Sequence, residues 1–508
     1  MMSAPIERED VAYFKNAVVR QMGLQFDDGK SDFLADVLRQ RLDETGYAHA
    51  GAYLARMSTP EEMRILAERL AVSETYFFRN RDHFRVLGDV ILSNFMRLRA
   101  NTRNLQILSA GCATGDEAYS IAILLHQTIP DIARWNIKIR AFDIKPSMIE
   151  RAKRGRYSAW ALRDTNEEIK GRYFRPEGRD FVLDESIRGM VSFQELNLAD
   201  DDPSFRQAAV FDVVFLRNVI MYFTPEVARA VVSRIGKAMA SGGYLFLGHA
   251  ETLRGISHDF HLCHTHETFY YQRRDGSSAL ESDPAGVPAR QNFLPCALEP
   301  DVSWVDAIQR ASERIASLAM QPEPIAVAAA AAESPAAVRP QKRTNLGGAL
   351  ELMKQERFAD ALEALNVLPV EAREDADMQL LHGVLLLNAG RLQETEQLCG
   401  KLLQADELNA GVHYLMALCR EHGSDLAAAS EHDHAAVYLD GAFAMPHFHL
   451  GLMARRKGDA ETARRELASA LPLLMREDAS RILLFGGGFS RDALVSLCQS
   501  ELHAAEGS

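Results

Sequence analysis

The spacing of hydrophobic positions changes along the chain and divides it into stretches of different expected structure. In residues 1–80 apolar side chains recur at helical intervals, as in Phe33, Leu34, Val37, Leu38 and Leu42 and again in Met63, Ile65, Leu66 and Leu70. This predicts an N-terminal α-helical domain. From 81 to 274 short apolar runs (Leu105–Ser109, Ile137–Phe142, Val210–Leu216, Tyr244–Gly248) are separated by longer helical stretches. Strands alternating with helices predict a mainly parallel sheet covered on both faces. The periodicity then fades over 275–344, which carries Gln321-Pro322-Glu323-Pro324, an alanine run from Ala326 to Ala332, Pro335 and Pro340. That composition reads as a linker, with room for one helix at 301–320.

Beyond 344 the helical pattern repeats. Small residues fall at Ala349, Gly383, Ala417 and Gly451, each 34 positions apart, which is the tetratricopeptide period. Ala361, Thr395, Ala429 and Ala463 form a second column, and Gly390, Ser424 and Gly458 a third at the expected inter-helix turn. Small residues suit these columns because the helices of one repeat approach closely. All-α repeats are therefore expected over 345–485, the first of them degenerate. A turn at Gly486-Gly487-Gly488 and a capping helix follow within 486–508.

Composition narrows the function classes. A chain of 508 residues exceeds one core and fits a multidomain protein. No apolar run approaches the roughly 18 residues of a membrane span, and the first residues lack a signal-peptide pattern. The six cysteines are scattered, with no CxxC pair. A cytoplasmic, reduced protein without membrane insertion is expected. The net charge of −13 disfavours nucleic acid as a partner. It is uneven: residues 1–274 hold 37 basic and 36 acidic side chains, residues 275–508 hold 20 and 34. The acidity belongs to the linker and repeats.

The chemistry concentrates in Leu105-Gln-Ile-Leu-Ser109-Ala-Gly111-Cys-Ala-Thr-Gly115-Asp-Glu117, where a strand runs into a glycine-containing turn and then a helix. Such a turn lets backbone approach a ligand at the carboxyl end of a sheet. It is not G-x-G-x-x-G and lacks the P-loop lysine, which disfavours NAD and ATP. Asp143 ends the next apolar run, where an acid can accept hydrogen bonds from ribose hydroxyls or cap the following helix. Loop and acid together favour a nucleoside ligand, most simply S-adenosylmethionine.

Several ordered blocks resemble the CheR family of chemotaxis-receptor glutamate methyltransferases, in the branch with a C-terminal tetratricopeptide extension. They are Thr75-Tyr76-Phe77-Phe78-Arg79, Ala113-Thr114-Gly115-Asp116-Glu117-Ala118-Tyr119-Ser120, Phe142-Asp143-Ile144, Leu196-Asn197-Leu198, Phe215-Leu216-Arg217-Asn218-Val219-Ile220-Met221-Tyr222-Phe223 and Gly248-His249-Ala250-Glu251. The resemblance covers about residues 10–272. It implies a Rossmann-like domain that binds S-adenosylmethionine and releases S-adenosylhomocysteine. It further implies that Ser73, Thr75 and Arg79 face the cofactor, with Gly111 in the turn. Glu117 would hold the cofactor's amino group, Asp143 the ribose, and Asn197 and Leu198 the adenine. Arg217, Asn218 and Tyr222 would lie beside the reactive methyl. The implied acceptor is a glutamate on the cytoplasmic helical bundle of a chemoreceptor, with Arg79 and Tyr222 as catalytic residues. The plainer alternatives are a surface arginine at 79 and a packing tyrosine at 222. The Phe77-Phe78 pair reads as core that lifts Arg79 toward the pocket.

Two departures from the family stand out. The small β-subdomain, expected at about 172–194, lacks the glycine-rich turn of members that grip a receptor tether, so tether-independent recognition is expected. The N-terminal helix that meets the receptor in this family is often strongly basic; here it keeps only Lys30, Arg39 and Arg41 among several acids, so direct docking through it is less expected. His258, His261, Cys263, His264 and His266 suggest a metal, but they fall on an expected strand pair whose successive residues face opposite ways. No metal is expected. Two other readings stay compatible with the sequence. One is a methyltransferase for another protein or a small carboxylate; the other is a non-catalytic S-adenosylmethionine-sensing scaffold. The repeats offer a surface to a protein partner the sequence does not identify.

Overall fold

The computed structural model describes residues 6–26, 28–47, 49–71, 74–99, 101–205, 207–274, 349, 351–353, 355, 357–367, 373 and 375–506. The linker expected at 275–344, with its helix at 301–320, lies outside the described residues. The chain divides into two units, Met1–Gly286 and Val287–Ser508.

The first unit opens with helices α1 (Arg8–Met22), α2 (Ser31–Thr45), α3 (Ala50–Leu54) and α4 (Pro60–Leu70). Leu34, Val37, Leu38 and Leu42 are buried on α2, as their spacing requires, whereas Phe33 stays 42% exposed. Thr59 caps α4 by accepting from the Glu62 amide, with Pro60 at the first helical position. Arg41 is buried: Nε and Nη2 donate to Glu62 at 2.7 Å each, and Glu44 takes a further bond. Arg39 pairs with Asp36 at 2.5 Å. The positive charge of α2 is thus largely spent within the helical layer.

The α/β layer holds a seven-stranded sheet in the order β6-β2-β1-β7-β8-β10-β9. Its strands are β1 (Asn104–Ala110), β2 (Asn136–Asp143), β6 (Val191–Glu195), β7 (Phe211–Leu216), β8 (Met239–Leu247), β9 (Phe260–Thr265) and β10 (Thr268–Arg273). The first five run parallel, and β10 joins β8 and β9 antiparallel. All six residues of β7 are buried, the mark of a strand covered on both faces. Its one acid, Asp212, is matched by the Gln106 amide at 2.8 Å and by Arg99 at 2.7 Å. Because β1 pairs with β2 on one side and β7 on the other, the strand order reverses at β1/β7. A crevice opens at the carboxyl ends of these two strands. Helices α5 (Arg81–Arg85) and α6 (Ser93–Leu98) precede β1, α7 (Asp116–Thr128), α8 (Pro146–Arg154) and α11 (Pro225–Ala238) flank the sheet, and the short α9 (Glu167–Tyr173) and α10 (Glu185–Arg188) fall between α8 and α11.

A separate three-stranded sheet orders as β3-β5-β4, with β3 at Arg156–Ser158, β4 at Phe174–Glu177 and β5 at Asp180–Leu183. This corrects the expected span of 172–194. One edge strand comes from upstream, and Val191–Glu195 pairs with β2 in the main sheet instead. Three residues of β3 are too few to leave a period-2 signal, and Val191–Glu195 leaves the small sheet because its partner is nonlocal.

The described residues of the second unit are all-α, with tetratricopeptide-like helix pairs. The first helices of successive pairs start at Ala376, Ala410 and Ala444, the second helices at Leu392, Leu426 and Ala460. The small-residue columns lie in their packing seams: Ala361, Thr395, Ala417, Ala429 and Ala463 are fully buried. A Cβ on Gly451 would sit 2.7 Å from Leu467. Gly390, Ser424 and Gly458 all take positive φ at the turns between paired helices. Ala479–Phe485 forms a further short helix before the closing helix Arg491–Glu506. Its Phe485 packs edge-on against Tyr414 and Phe443, centroids 5.9 and 5.0 Å away. No helix among the described residues is long and apolar enough to cross a membrane.

Candidate active site

A cavity of about 790 Å³ opens at the β1/β7 crevice. Its walls bring together Thr75, Arg79, Gly111, Glu117, Asp143, Asn197, Leu198, Arg217, Asn218 and Tyr222. Ser73 lies outside the described residues.

The turn after β1 is built for close approach. Gly111 takes φ +81°, and a Cβ there would stand 2.4 Å from Val219 Cγ2. The amides of Gly111 and Cys112 both donate to the Phe142 carbonyl, tying the turn to the end of β2. Asp143 is buried there. Its Oδ2 accepts from the Ala113 amide at 2.8 Å and its Oδ1 from the Lys145 amide at 2.9 Å. Burial raises its pKa while the two amides oppose the rise. Each oxygen keeps a second lone pair for a ligand hydroxyl.

Glu117 sits on the first turn of α7. Its Oε1 accepts from Ser109 Oγ at 2.8 Å and its Oε2 faces Arg217 Nη1 at 3.2 Å. Arg217, from the end of β7, also donates through Nη2 to the Arg79 carbonyl at 2.6 Å and Asn80 Oδ1 at 2.9 Å. Burial pushes the Glu117 carboxyl up and the Arg217 guanidinium down, while each attracts the other's charged form. Arg217 therefore ties the α7 acid to the turn carrying Arg79. That turn is anchored below: Phe77 and Phe78 are buried, Phe77 against Tyr157 and Phe174, Phe78 against Phe84. Phe78 and Asn80 both take positive φ, φ values that bulky residues rarely adopt. The half-buried Arg79 donates through Nη1 to the Glu74 carbonyl at 2.9 Å.

The segment after β7 hangs on a buried acid for which the sequence suggested no role. Glu251 Oε2 accepts from the amides of Asn218 (2.6 Å) and Gly248 (2.8 Å), and its Oε1 from those of Val219 (2.8 Å) and Met221 (3.2 Å). Gly248 is required beside it, because a Cβ there would fall 2.7 Å from Asn218 Nδ2 and 2.8 Å from Glu251 Oε2. Asn218 takes φ +57°. Thr224 caps α11 by accepting from the Val227 amide.

The sequence motifs also missed the helical layer's share of the walls. Met22, Leu24, Phe26, Lys30 and Phe33 line the cavity. The segment after α1 is stitched to the 222–224 segment: the Gln25 amide donates to the Tyr222 carbonyl at 2.7 Å, and the Thr224 amide to the Gly23 carbonyl at 3.1 Å. At the far end, Asn197 Oδ1 accepts from the Ala199 amide at 3.0 Å, and Leu198 supplies an apolar wall. His258, His261, Cys263, His264 and His266 lie on or beside the β9–β10 hairpin, and no group of metal-ligating side chains converges among the described residues.

A glycine cradle at a strand-order switch, an acid with free lone pairs at the end of β2 and a second acid on α7 fit an α/β domain that binds a nucleoside. Comparison with known proteins makes this specific. Residues 73–269 match the family described as "CheR methyltransferase, SAM binding domain". A Chemotaxis protein methyltransferase 2 of Vibrio cholerae is 30% identical over 280 residues, covering 54% of this chain and 96% of that one. A Probable biofilm formation methyltransferase WspC of Pseudomonas putida is 26% identical over 452 residues, covering 88% and 94%. An uncharacterized 104.1 kDa protein of Rhodobacter capsulatus is 31% identical over 250 residues, and the chain spans only 26% of its length. The chain belongs to the CheR methyltransferase family, and S-adenosylmethionine is its cofactor.

Proposed function

We propose that the protein transfers the methyl group of S-adenosylmethionine to glutamate side chains on the cytoplasmic helical bundle of a chemoreceptor, forming methyl esters for signal adaptation. The observation that carries this is a cavity in which a glycine turn and two acids (Gly111, Asp143, Glu117) meet an arginine and a tyrosine, Arg79 and Tyr222, under an apolar cover from the helical layer. The relatives named for chemotaxis and biofilm formation support the receptor as acceptor.

In this reading Asp143 holds the ribose, Glu117 the amino group, Asn197 and Leu198 the adenine, and Ser73 and Thr75 the neighbouring edge. The bound cofactor supplies an activated methyl on a sulfonium cation. A glutamate acceptor is already ionised at neutral pH, with a reference pKa of about 4.3, so no general base is needed. The buried His83, pushed down to about 3 by burial and by Arg217, offers none. The protein's work is exclusion of water and alignment. The buried Leu24 and Phe26 exclude water from this wall, with the part-exposed Phe33 beside them. The planar guanidinium of Arg79 orients the carboxylate, and Tyr222 lies beside the transferred group. Arg217 acts through Glu117 and the Arg79 turn, while Asn218 shapes the wall. The β4–β5 hairpin turns tightly through Gly178 at φ +68°. It supports receptor recognition without a tether. The repeats recruit a protein partner, and the reaction takes place in the cytoplasm.

The test incubates the full chain with methyl-labelled cofactor and receptor cytoplasmic domains. Label released as methanol by mild base is expected. Base-stable label indicates methylation at another atom and overturns the reading. Cofactor binding with no label on any acceptor favours the sensing scaffold.

A further inference from the structure

A second cavity, of about 410 Å³, adjoins the first, and Thr75 lies in the walls of both. Its lining carries Arg151, Arg154 and Arg156 against Asp116 and Asp180, with Trp160 alongside. The three arginines differ in state. Arg156 is matched by Glu177 at 3.0 Å and by Asp180 at 3.1 Å. Arg151 and Arg154 are exposed on the last turn of α8, and neither makes a hydrogen bond or ion pair with another described residue. A helix dipole favours cations on such a turn, but it does not require them to face a cavity. Asp116 is fully buried in the wall, and its Oδ1 has no hydrogen-bond partner. Trp160 is 70% exposed, and the Arg163 guanidinium stacks over its ring at 4.3 Å.

The uncommitted cations of α8 contrast with α2, whose Arg39 and Arg41 are held by Asp36, Glu44 and Glu62. Arg151 and Arg154 therefore offer an acidic acceptor helix positive charge beyond that of Lys30 and Arg79 in the wall of the larger cavity. The wall's own acids make the net charge small, which suits a single carboxylate better than a multiply charged phosphate.

We propose that this arginine cavity is a docking subsite for a second acidic side chain of the acceptor helix, one or two turns from the glutamate that enters the larger cavity. The proposal rests on the reading of the acceptor as a glutamate-bearing helix. An α-helix rises 1.5 Å per residue, so side chains three, four or seven positions along lie roughly 5–10 Å away on the same face. Thr75 is common to both walls, so the two cavities are neighbours, as side chains on one face of a helix are. The contact is a specificity contact: it selects which glutamates are presented and leaves the transfer step alone.

The experiment titrates the full chain, loaded with S-adenosylhomocysteine, into a fluorescent helical peptide with glutamates three and four residues apart on one face. A twin peptide carries glutamine at every such position. The double variant Arg151→Ala/Arg154→Ala is compared with wild type and with Lys153→Ala, a control on the same helix outside both cavities. The glutamate peptide is expected to bind the double variant about tenfold more weakly than wild type or the control. The twin is expected to bind all three weakly and alike, with cofactor affinity unchanged throughout. Equal binding of the glutamate peptide to wild type and double variant overturns the proposal. So does equal binding of the two peptides to wild type, or an equal loss in Lys153→Ala. If receptor domains take no base-labile label from wild type, the functional reading fails, whereas the peptide comparison judges the subsite by itself.

Discussion

Glu251→Gln is the substitution with the most to say about how the site is built. The native carboxylate gathers four backbone amides at 2.6–3.2 Å, three from the segment after β7 and one from Gly248. A glutamine of the same shape keeps one carbonyl oxygen, enough for the Val219 and Met221 amides. Its amide nitrogen then points hydrogens at the Asn218 and Gly248 donors, where two acceptor contacts are lost. A buried donor left unsatisfied costs about 1–3 kcal/mol, so a loss of about 2–4 kcal/mol is expected once some relaxation is allowed. The loop carries Asn218 and Tyr222 and follows Arg217 directly, and a displacement near 1 Å at such a site is worth about a hundredfold in rate. Urea denaturation should show the stability loss, and methyl transfer at saturating cofactor should fall about a hundredfold. A variant within about 0.5 kcal/mol of wild type, with full turnover, would refute the idea that this acid holds the loop.

Two further outcomes follow from the charged groups. Asp143→Ala removes the carboxylate proposed to accept from two ribose hydroxyls and should weaken cofactor binding at least tenfold by calorimetry, about 1.4 kcal/mol or more; unchanged affinity would exclude Asp143 from the nucleoside site. In the repeats, His449 lies between Asp433 at 2.6 Å and Glu421 at 2.9 Å, and these acids raise its pKa to about 9 against the resistance of burial. A folded pKa above the unfolded value of about 6.5 gives stability that is full below pH 6.5 and is lost as pH rises through 9. Amide exchange in Ala410–His422 and Ala444–Lys457 should therefore speed up between pH 7 and 9 beyond its intrinsic rise; His449→Gln should be less protected at pH 6 and lack that extra change.

Much of this was legible in the sequence where a feature repeats or is local. The 34-residue columns predicted buried seams and turn positions, because a small residue is needed wherever two helices touch and a permissive one wherever the turn takes positive φ. The strand at Leu105–Ser109, the glycine turn and Asp143 could be read together because one crossover unit joins them. What escaped is nonlocal. Glu251 looks like any acid after a strand until Asn218, Val219 and Met221 arrive to share it. Leu24 and Phe26 lie in the short segment between α1 and α2, which has no period to read, and Phe33 follows ordinary helical spacing; the stitching of Gln25 and Gly23 to the 222–224 segment brings this stretch to the cavity wall. The edge strand Arg156–Ser158 is too short for a period. Phe485 reads as the end of an apolar run, and its seat against Tyr414 and Phe443 depends on the short helix turning back across helices far upstream.

On the proposed function, the methyl lands on a glutamate oxygen of a receptor helix. Fragment-ion mass spectrometry of a receptor cytoplasmic domain, after reaction with the full chain and S-adenosylmethionine, tests it most directly. Single methyl additions confined to glutamate side chains, reversed by mild base and absent with Arg79→Ala, are expected. A methyl on lysine, arginine, cysteine or an amide nitrogen, or equal yield from Arg79→Ala, would contradict it.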